Sequence, residues 1–106
     1  MKIYKMSSMK EGWFIGNFVP CVYKTKHFDV SYKFHKKGEY RAPHIHKITT
    51  EINYLIQGKM KIAGKTLQKG DIFIISKGER ADPIYLTTCK LIVVKIPSNP
   101  TDKYLV

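Results

Sequence analysis

The 106-residue sequence predicts an all-β single domain, a sandwich or a barrel, and three observations carry that prediction. Val, Ile, Tyr, Phe and Thr crowd into short runs. Turn residues separate those runs at intervals of about ten residues. No window has both the length and the 3.6-residue period of a good helix. A chain of this length buries roughly 65% of the surface it exposes when unfolded, enough for a core without disulfides. Closing such strands into a barrel removes the free edges on which sheets aggregate.

"GWFIGNFVP" near the start reads as a strand or an extended edge. "FDVSYKFHKKG" alternates with apolar residues at Phe28, Val30, Tyr32 and Phe34, and Gly38 ends it. This alternation puts Tyr32 and Phe34 on the inner face, as barrel core or cavity wall. "EINYLIQGKMKIAGKTLQKGD" reads as a strand, a turn near Gly58, a strand through Met60 and Ile62, a turn at Gly64 and a short strand ending at Gly70. "DIFIIS" and "KLIVVKIP" are continuous apolar runs, the pattern of buried strands, and Pro97 closes the second. "PSNPTDKYLV" is ambiguous between one helical turn and an edge strand. There is no repeat, linker or low-complexity segment.

Composition narrows the function classes. The net charge is +11, but seventeen of the nineteen cations are lysine and only Arg41 and Arg80 are arginine. Arginine is the side chain that reads phosphates and bases bidentately. The lysines are also spread along the whole chain, so specific nucleic-acid binding is not expected, only weak attraction to polyanions. No stretch approaches the ~18 apolar residues of a membrane span, and the N-terminus has no apolar signal-peptide core. Cys21 and Cys89 are far apart and outside any C-x-x-C pattern, which suits two reduced thiols in a reducing, soluble compartment, the cytoplasm.

The chemistry-bearing pattern is "RAPHIHKITTE". Residues i and i+2 of a strand share a face and lie roughly 6.7 Å apart, so the rings of His44 and His46 can reach one ion. After a turn at residues 47–50, a paired strand beginning at Glu51 brings its carboxylate beside them. Two nitrogens and one oxygen on one side of an ion leave its other positions open, a set that suits Fe(II) and also Mn, Zn, Ni or Co. Asn53 shares a face with Glu51. It is a candidate hydrogen-bonding group for a ligand, or one that orients a histidine. His27 and His35 lack partners at metal spacing and read as ordinary surface or structural residues. Trp13 is expected to pack against the barrel or against an oligomer partner.

From Gly38 to Gly58 the chain runs Gly-x5-His-x-His-x4-Glu-x6-Gly, through His44, His46 and Glu51. This resembles the first motif of the cupin superfamily at each fixed position. The second cupin motif, Gly-x5-Pro-x-Gly-x2-His, is met in part over residues 70–82: Gly70, Asp71 and Gly78 fit, Ser76 stands for proline and Ala81 for the third histidine. "GWFIGNF" and "DKYL" also look like a subgroup of small single-domain cupins of unassigned role. The resemblance implies a cupin-type jelly-roll β-barrel over residues 1–106, with His44, His46 and Glu51 pointing inward to hold a divalent metal ion.

Ala81 cannot supply the usual fourth ligand. Asp82 is the candidate in its place if the strand shifts by one residue or bulges; otherwise it is a strand-end carboxylate. Pro83 biases Asp82 towards extended backbone. Tyr85 is placed at the barrel mouth or in solvent-side packing.

Three functions fit these residues. The first is a metal-dependent enzyme, dioxygenase- or isomerase-like, whose small polar substrate is oriented by Asn53, Tyr32 or Tyr85. The second is a non-catalytic module binding a sugar or carboxylate. The third is a metal-free isomerase or epimerase with a histidine as general base. A homodimer is also expected, with the aromatic residues 13–18 at its interface.

Overall fold

The computed structural model describes residues 1–106. A short 3-10 helix, Met6–Ser8, precedes eleven strands: β1 (Trp13–Gly16), β2 (Tyr23–Lys24), β3 (Asp29–His35), β4 (His44–Ile45), β5 (Thr50–Gln57), β6 (Lys59–Ile62), β7 (Lys65–Gln68), β8 (Ile72–Ile75), β9 (Ile84–Tyr85), β10 (Cys89–Ile96) and β11 (Tyr104–Leu105). The long apolar runs form strands where the sequence puts them, and the ambiguous C-terminal segment is the short strand β11. No helix is long and apolar enough to cross a membrane.

The strands form a jelly-roll barrel. Six of them make one sheet in the order β2-β1-β3-β10-β5-β8. A three-stranded sheet, β7-β6-β9, and a two-stranded one, β11-β4, complete the wall. The core lies between the large sheet and the three-stranded one. Leu55, Cys89, Leu91 and Val93 come from the large sheet, and Met60 and Tyr85 come from β6 and β9.

Register decides which residues point inward, and it reverses one expectation. On β10, Leu91 and Val93 are buried; they pair with Lys33 and Ser31 of β3 and with Leu55 and Asn53 of β5. Asp29, Ser31, Lys33 and His35 therefore form the inner face of β3. Tyr32 lies opposite Ile92 on the outer face, and Phe34 is half exposed. Tyr32 thus has no part in the cavity, contrary to the sequence reading. The alternation was real, but this strand turns its polar side inward because the barrel interior holds charged and hydrogen-bonding groups.

The run "DIFIIS" also departs from expectation. Strand β8 is the last of the large sheet, and its residues Ile72 and Ile74 are 70% and 59% exposed. They lie opposite Tyr54 and Ile52, which lie opposite Ile92 and Val94. The outer face of the large sheet is therefore a continuous apolar surface rather than a solvated one.

Candidate functional site

Strand β4 sets the first histidine. The backbone N–H of His44 donates to the Ala81 carbonyl at 3.0 Å, and the Ala81 N–H returns the bond at 2.8 Å. The position where cupins carry a third histidine thus lies directly opposite His44, and Ala81 lines the cavity there with a small side chain. Asp82, the next residue, is off the cavity wall. Its carboxylate accepts the backbone N–H of Ala63 at 3.2 Å. No bulge turns it inward, so strand alternation removes Asp82 from the ligand set.

Both histidine rings are oriented by backbone carbonyls. Nδ1–H of His44 donates to the Ala42 carbonyl at 3.2 Å. Nδ1–H of His46 donates to the main-chain carbonyl of Asp102. In each ring the lone pair is then on Nε2, the tautomer that a metal-binding histidine needs. The rings are nearly perpendicular, with centroids 5.0 Å apart. Burial lowers the pKa of His44, which keeps that ring neutral.

His46 is 2% exposed, and its Nε2 is sealed from solvent with no hydrogen-bond partner. The nearest counterpart is Oε1 of Glu51, at 3.6 Å. Oε2 of Glu51 accepts a 3.0 Å hydrogen bond from Nδ2 of Asn53. Asn53 therefore orients the carboxylate, not a histidine. As they stand, no three His, Cys, Asp or Glu side chains meet closely enough to enclose an ion. The donor chemistry nevertheless fits one: two imidazoles whose Nδ1 atoms are engaged by carbonyls, and a carboxylate 3.6 Å from the second ring, lie next to one another.

The adjoining cavity has a volume of about 440 Å³. His44, Glu51, Asn53 and Tyr85 all line it, while His46 stands behind this wall. Tyr85 is 6% exposed, inside the barrel rather than at its mouth. Asp29 lies on the same wall, and burial pushes its carboxyl up to about 6 against the opposing effects of Lys95 and Ser98.

Three groups escaped the sequence reading. The first is Asp102, 3% exposed. Its carboxylate accepts the backbone N–H groups of Lys47, Ile48 and Thr49 at 3.0, 2.9 and 2.9 Å, and the Thr49 hydroxyl at 3.2 Å. Those hydrogen bonds hold its pKa below the usual range although burial acts the other way. One residue thus clamps the turn between His46 and Glu51 and orients the His46 ring.

The second is the pair of His35 and Glu39. Nδ1–H of His35 donates to Oε2 of Glu39 at 2.6 Å, and Nε of Arg41 donates to the same oxygen at 3.0 Å. The His35 ring stacks on Tyr85 at 4.2 Å and lines the cavity. Burial lowers its pKa, against the pull of Glu39. The third group is Trp13 with Lys33 and Lys95, also on the cavity wall. The signal for His35 and Lys33 was present in the sequence as the polar half of the β3 alternation, which shares parity with Asp29.

No protein-family model matches this sequence, and no curated protein matches it. Solved structures do resemble it. An uncharacterised protein with a double-stranded β-helix domain from Klebsiella pneumoniae superposes with a TM-score of 0.70 at 21% identity, covering 77% of this chain and 72% of that one. An RmlC-like cupin from Shewanella frigidimarina gives 0.64 at 20% identity over 72% and 71% of the two chains. The polyketide cyclase RemF from Streptomyces resistomycificus gives 0.68 at 19% identity, over 77% of this chain and 62% of RemF. At these identities the likeness is one of fold.

Proposed function

We propose that this small cupin holds a divalent metal ion through His44, His46 and Glu51 and uses it on a small polar ligand in the adjoining cavity. The observation supporting this reading is the buried Nε2 of His46, which makes no hydrogen bond in the protein and has Oε1 of Glu51 3.6 Å away. A buried polar group left unsatisfied costs about 1–3 kcal/mol, and a cation beside Glu51 removes that cost. Iron, zinc, manganese and nickel all suit two imidazoles and a carboxylate. Such an ion, when bound, polarises a carbonyl or supports oxygen chemistry. The protein's own groups do the rest. The carbonyls of Ala42 and Asp102 hold the rings, and Asn53 holds the carboxylate. Binding without turnover is the alternative use of the same site.

Elemental analysis of untagged protein tests this reading. Stoichiometric metal is expected, with a gain in Tm on the order of 10 °C when the ion is at 100 times its Kd. His44→Ala and Glu51→Gln should abolish that gain while remaining folded. A second reading has its own observation, His35 on the cavity wall with its ring held by Glu39, which suits metal-free proton transfer with His35 as base. Protein that carries no metal and gains no stability from divalent ions belongs to the second reading.

The homodimer is also proposed, but through a different surface. Trp13 and Phe18 meet edge to face at 6.4 Å and line the cavity, so the more exposed outer face of the large sheet is preferred for the interface. The outer face of the large sheet is free, with Phe34, Tyr54, Ile72 and Ile74 at 45–70% exposure. A continuous apolar face of this kind is uncommon on a monomer, and a standard interface needs about 800 Å² per partner. Sedimentation should show a dimer that Ile72→Lys/Ile74→Lys converts to monomer; a monomeric parent protein would sink the proposal. The free thiols of Cys21 and Cys89 fit a reducing compartment, and the cytoplasm is proposed on that ground.

A further inference from the structure

The cavity carries a charge pattern that the metal donors leave unused. Five of its lining side chains are Lys or Arg, and three are Asp or Glu. The ammonium of Lys33 lies 4.8 Å from the ring centroid of Trp13, and that of Lys95 lies at the same distance. Two cations therefore share one indole inside one cavity. Lys95 has carboxylate company, with Oε1 of Glu51 at 3.9 Å. Lys33 has no carboxylate within ion-pairing distance; its Nζ donates only to the main-chain carbonyl of Glu11, at 2.8 Å.

Burial lowers Lys33 to about 8, with Glu11 opposing and Arg41, Lys95 and Lys103 reinforcing the effect. An ammonium that faces three cations and one carboxylate gains more from a bound anion than from a neutral ligand. The remaining wall is largely apolar, with Ile62, Phe73 and Val93 contributing to it.

From these contacts we infer that the cavity takes a small organic acid, its carboxylate seated on Lys33 and Lys95 beside Trp13 and its body against the apolar wall. This rests on reading the cavity as the ligand site, but not on a metal being bound. Lys33 and Lys95 supply charge-assisted hydrogen bonds to the carboxylate. Trp13 supplies a flat surface and keeps the two ammonium groups in place.

Trp13 is the only tryptophan in the chain, so its fluorescence reports on this site alone. The experiment is a fluorescence titration with benzoate and, separately, with inorganic phosphate at fixed ionic strength. It is run on protein as purified and after passage over a chelating resin. A saturable change with benzoate is expected in both preparations, weakened roughly tenfold or more in Lys33→Met and Lys95→Met. The exposed control Lys65→Met should bind as the parent does. No saturable change, a response to phosphate alone, or a benzoate response unaltered in Lys33→Met overturns the inference. The metal reading fails separately. Protein that takes up no metal but binds benzoate through Lys33 retains this site. A response that needs added metal and ignores Lys33 removes the site and leaves the metal reading standing.

Discussion

Asp102→Ala is expected to lower stability by about 3–5 kcal/mol, because it removes the acceptor of three backbone N–H groups and one hydroxyl, those of Thr49 being buried. For a domain of this length that corresponds to a fall in Tm on the order of 15 °C or more. Asp102→Asn keeps an acceptor but loses the charge, and should fall between the variant and the parent. For the proposed metal site, affinity should drop as well, by roughly 10–100-fold: the main-chain carbonyl that orients the His46 ring survives the substitution, but the carboxylate that anchors its segment to residues 47–49 does not.

The pH dependence has a definite sign. The folded-state pKa of Asp102 is depressed, so its contribution is complete above the unfolded carboxylate value of about 3.9 and is lost as pH falls through the folded value. Parent protein should therefore show an acid-induced loss of stability below about pH 4 from this group, and Asp102→Ala should lack that component. Thermal melts at pH 7 and across the acid range measure both effects. A variant that melts with the parent would show that the clamp contributes nothing.

Gly58→Ala should be as severe, and it separates two glycines that the motif treats alike. Gly58 has φ +106°, a backbone conformation that L side chains rarely adopt. A Cβ there would stand 2.3 Å from the Thr88 carbonyl oxygen and 2.9 Å from Cα of Cys89, at the start of β10. Those are backbone atoms leading into an interior strand of the large sheet, so relief requires moving that strand. The expected cost is about 4 kcal/mol or more, combining backbone strain with overpacking. Gly38 is also at positive φ, +73°, but a Cβ there meets nothing within 4 Å. Gly38→Ala should cost only about 1 kcal/mol. Urea denaturation of the two variants side by side gives the comparison, and equal losses would refute it.

Much of the fold was legible because it depends on local periodicity. Strands β3, β5, β6, β7, β8 and β10 lie where short runs of β-branched and aromatic residues fall between glycines and prolines. The spacing of His44, His46 and Glu51 was legible for the same reason, since parity along a strand follows from the sequence. The sense of that parity was not. The same alternation that put Tyr32 inside is satisfied equally well with Asp29, Ser31, Lys33 and His35 inside, and only pairing with Leu91 and Val93 decides between the two. Asp82 was assigned to the site on the assumption of a one-residue shift, and its bond to the N–H of Ala63 shows the strand keeps its phase. "DIFIIS" looked buried on both faces because apolar content does not distinguish an interior strand from an end strand with an uncovered side.

The amino-acid order alone determined the number and extent of the main strands, the glycine-bounded motif and the donor types on it, because those follow from steric preference and a two-residue repeat. Tertiary structure alone decided which face of each strand is inside, that a C-terminal aspartate 56 residues from His46 holds that ring, and that Lys33, Lys95 and Trp13 meet in one cavity. These depend on contacts between residues distant in the chain, whose energies are set by burial and by neighbours that no local window contains.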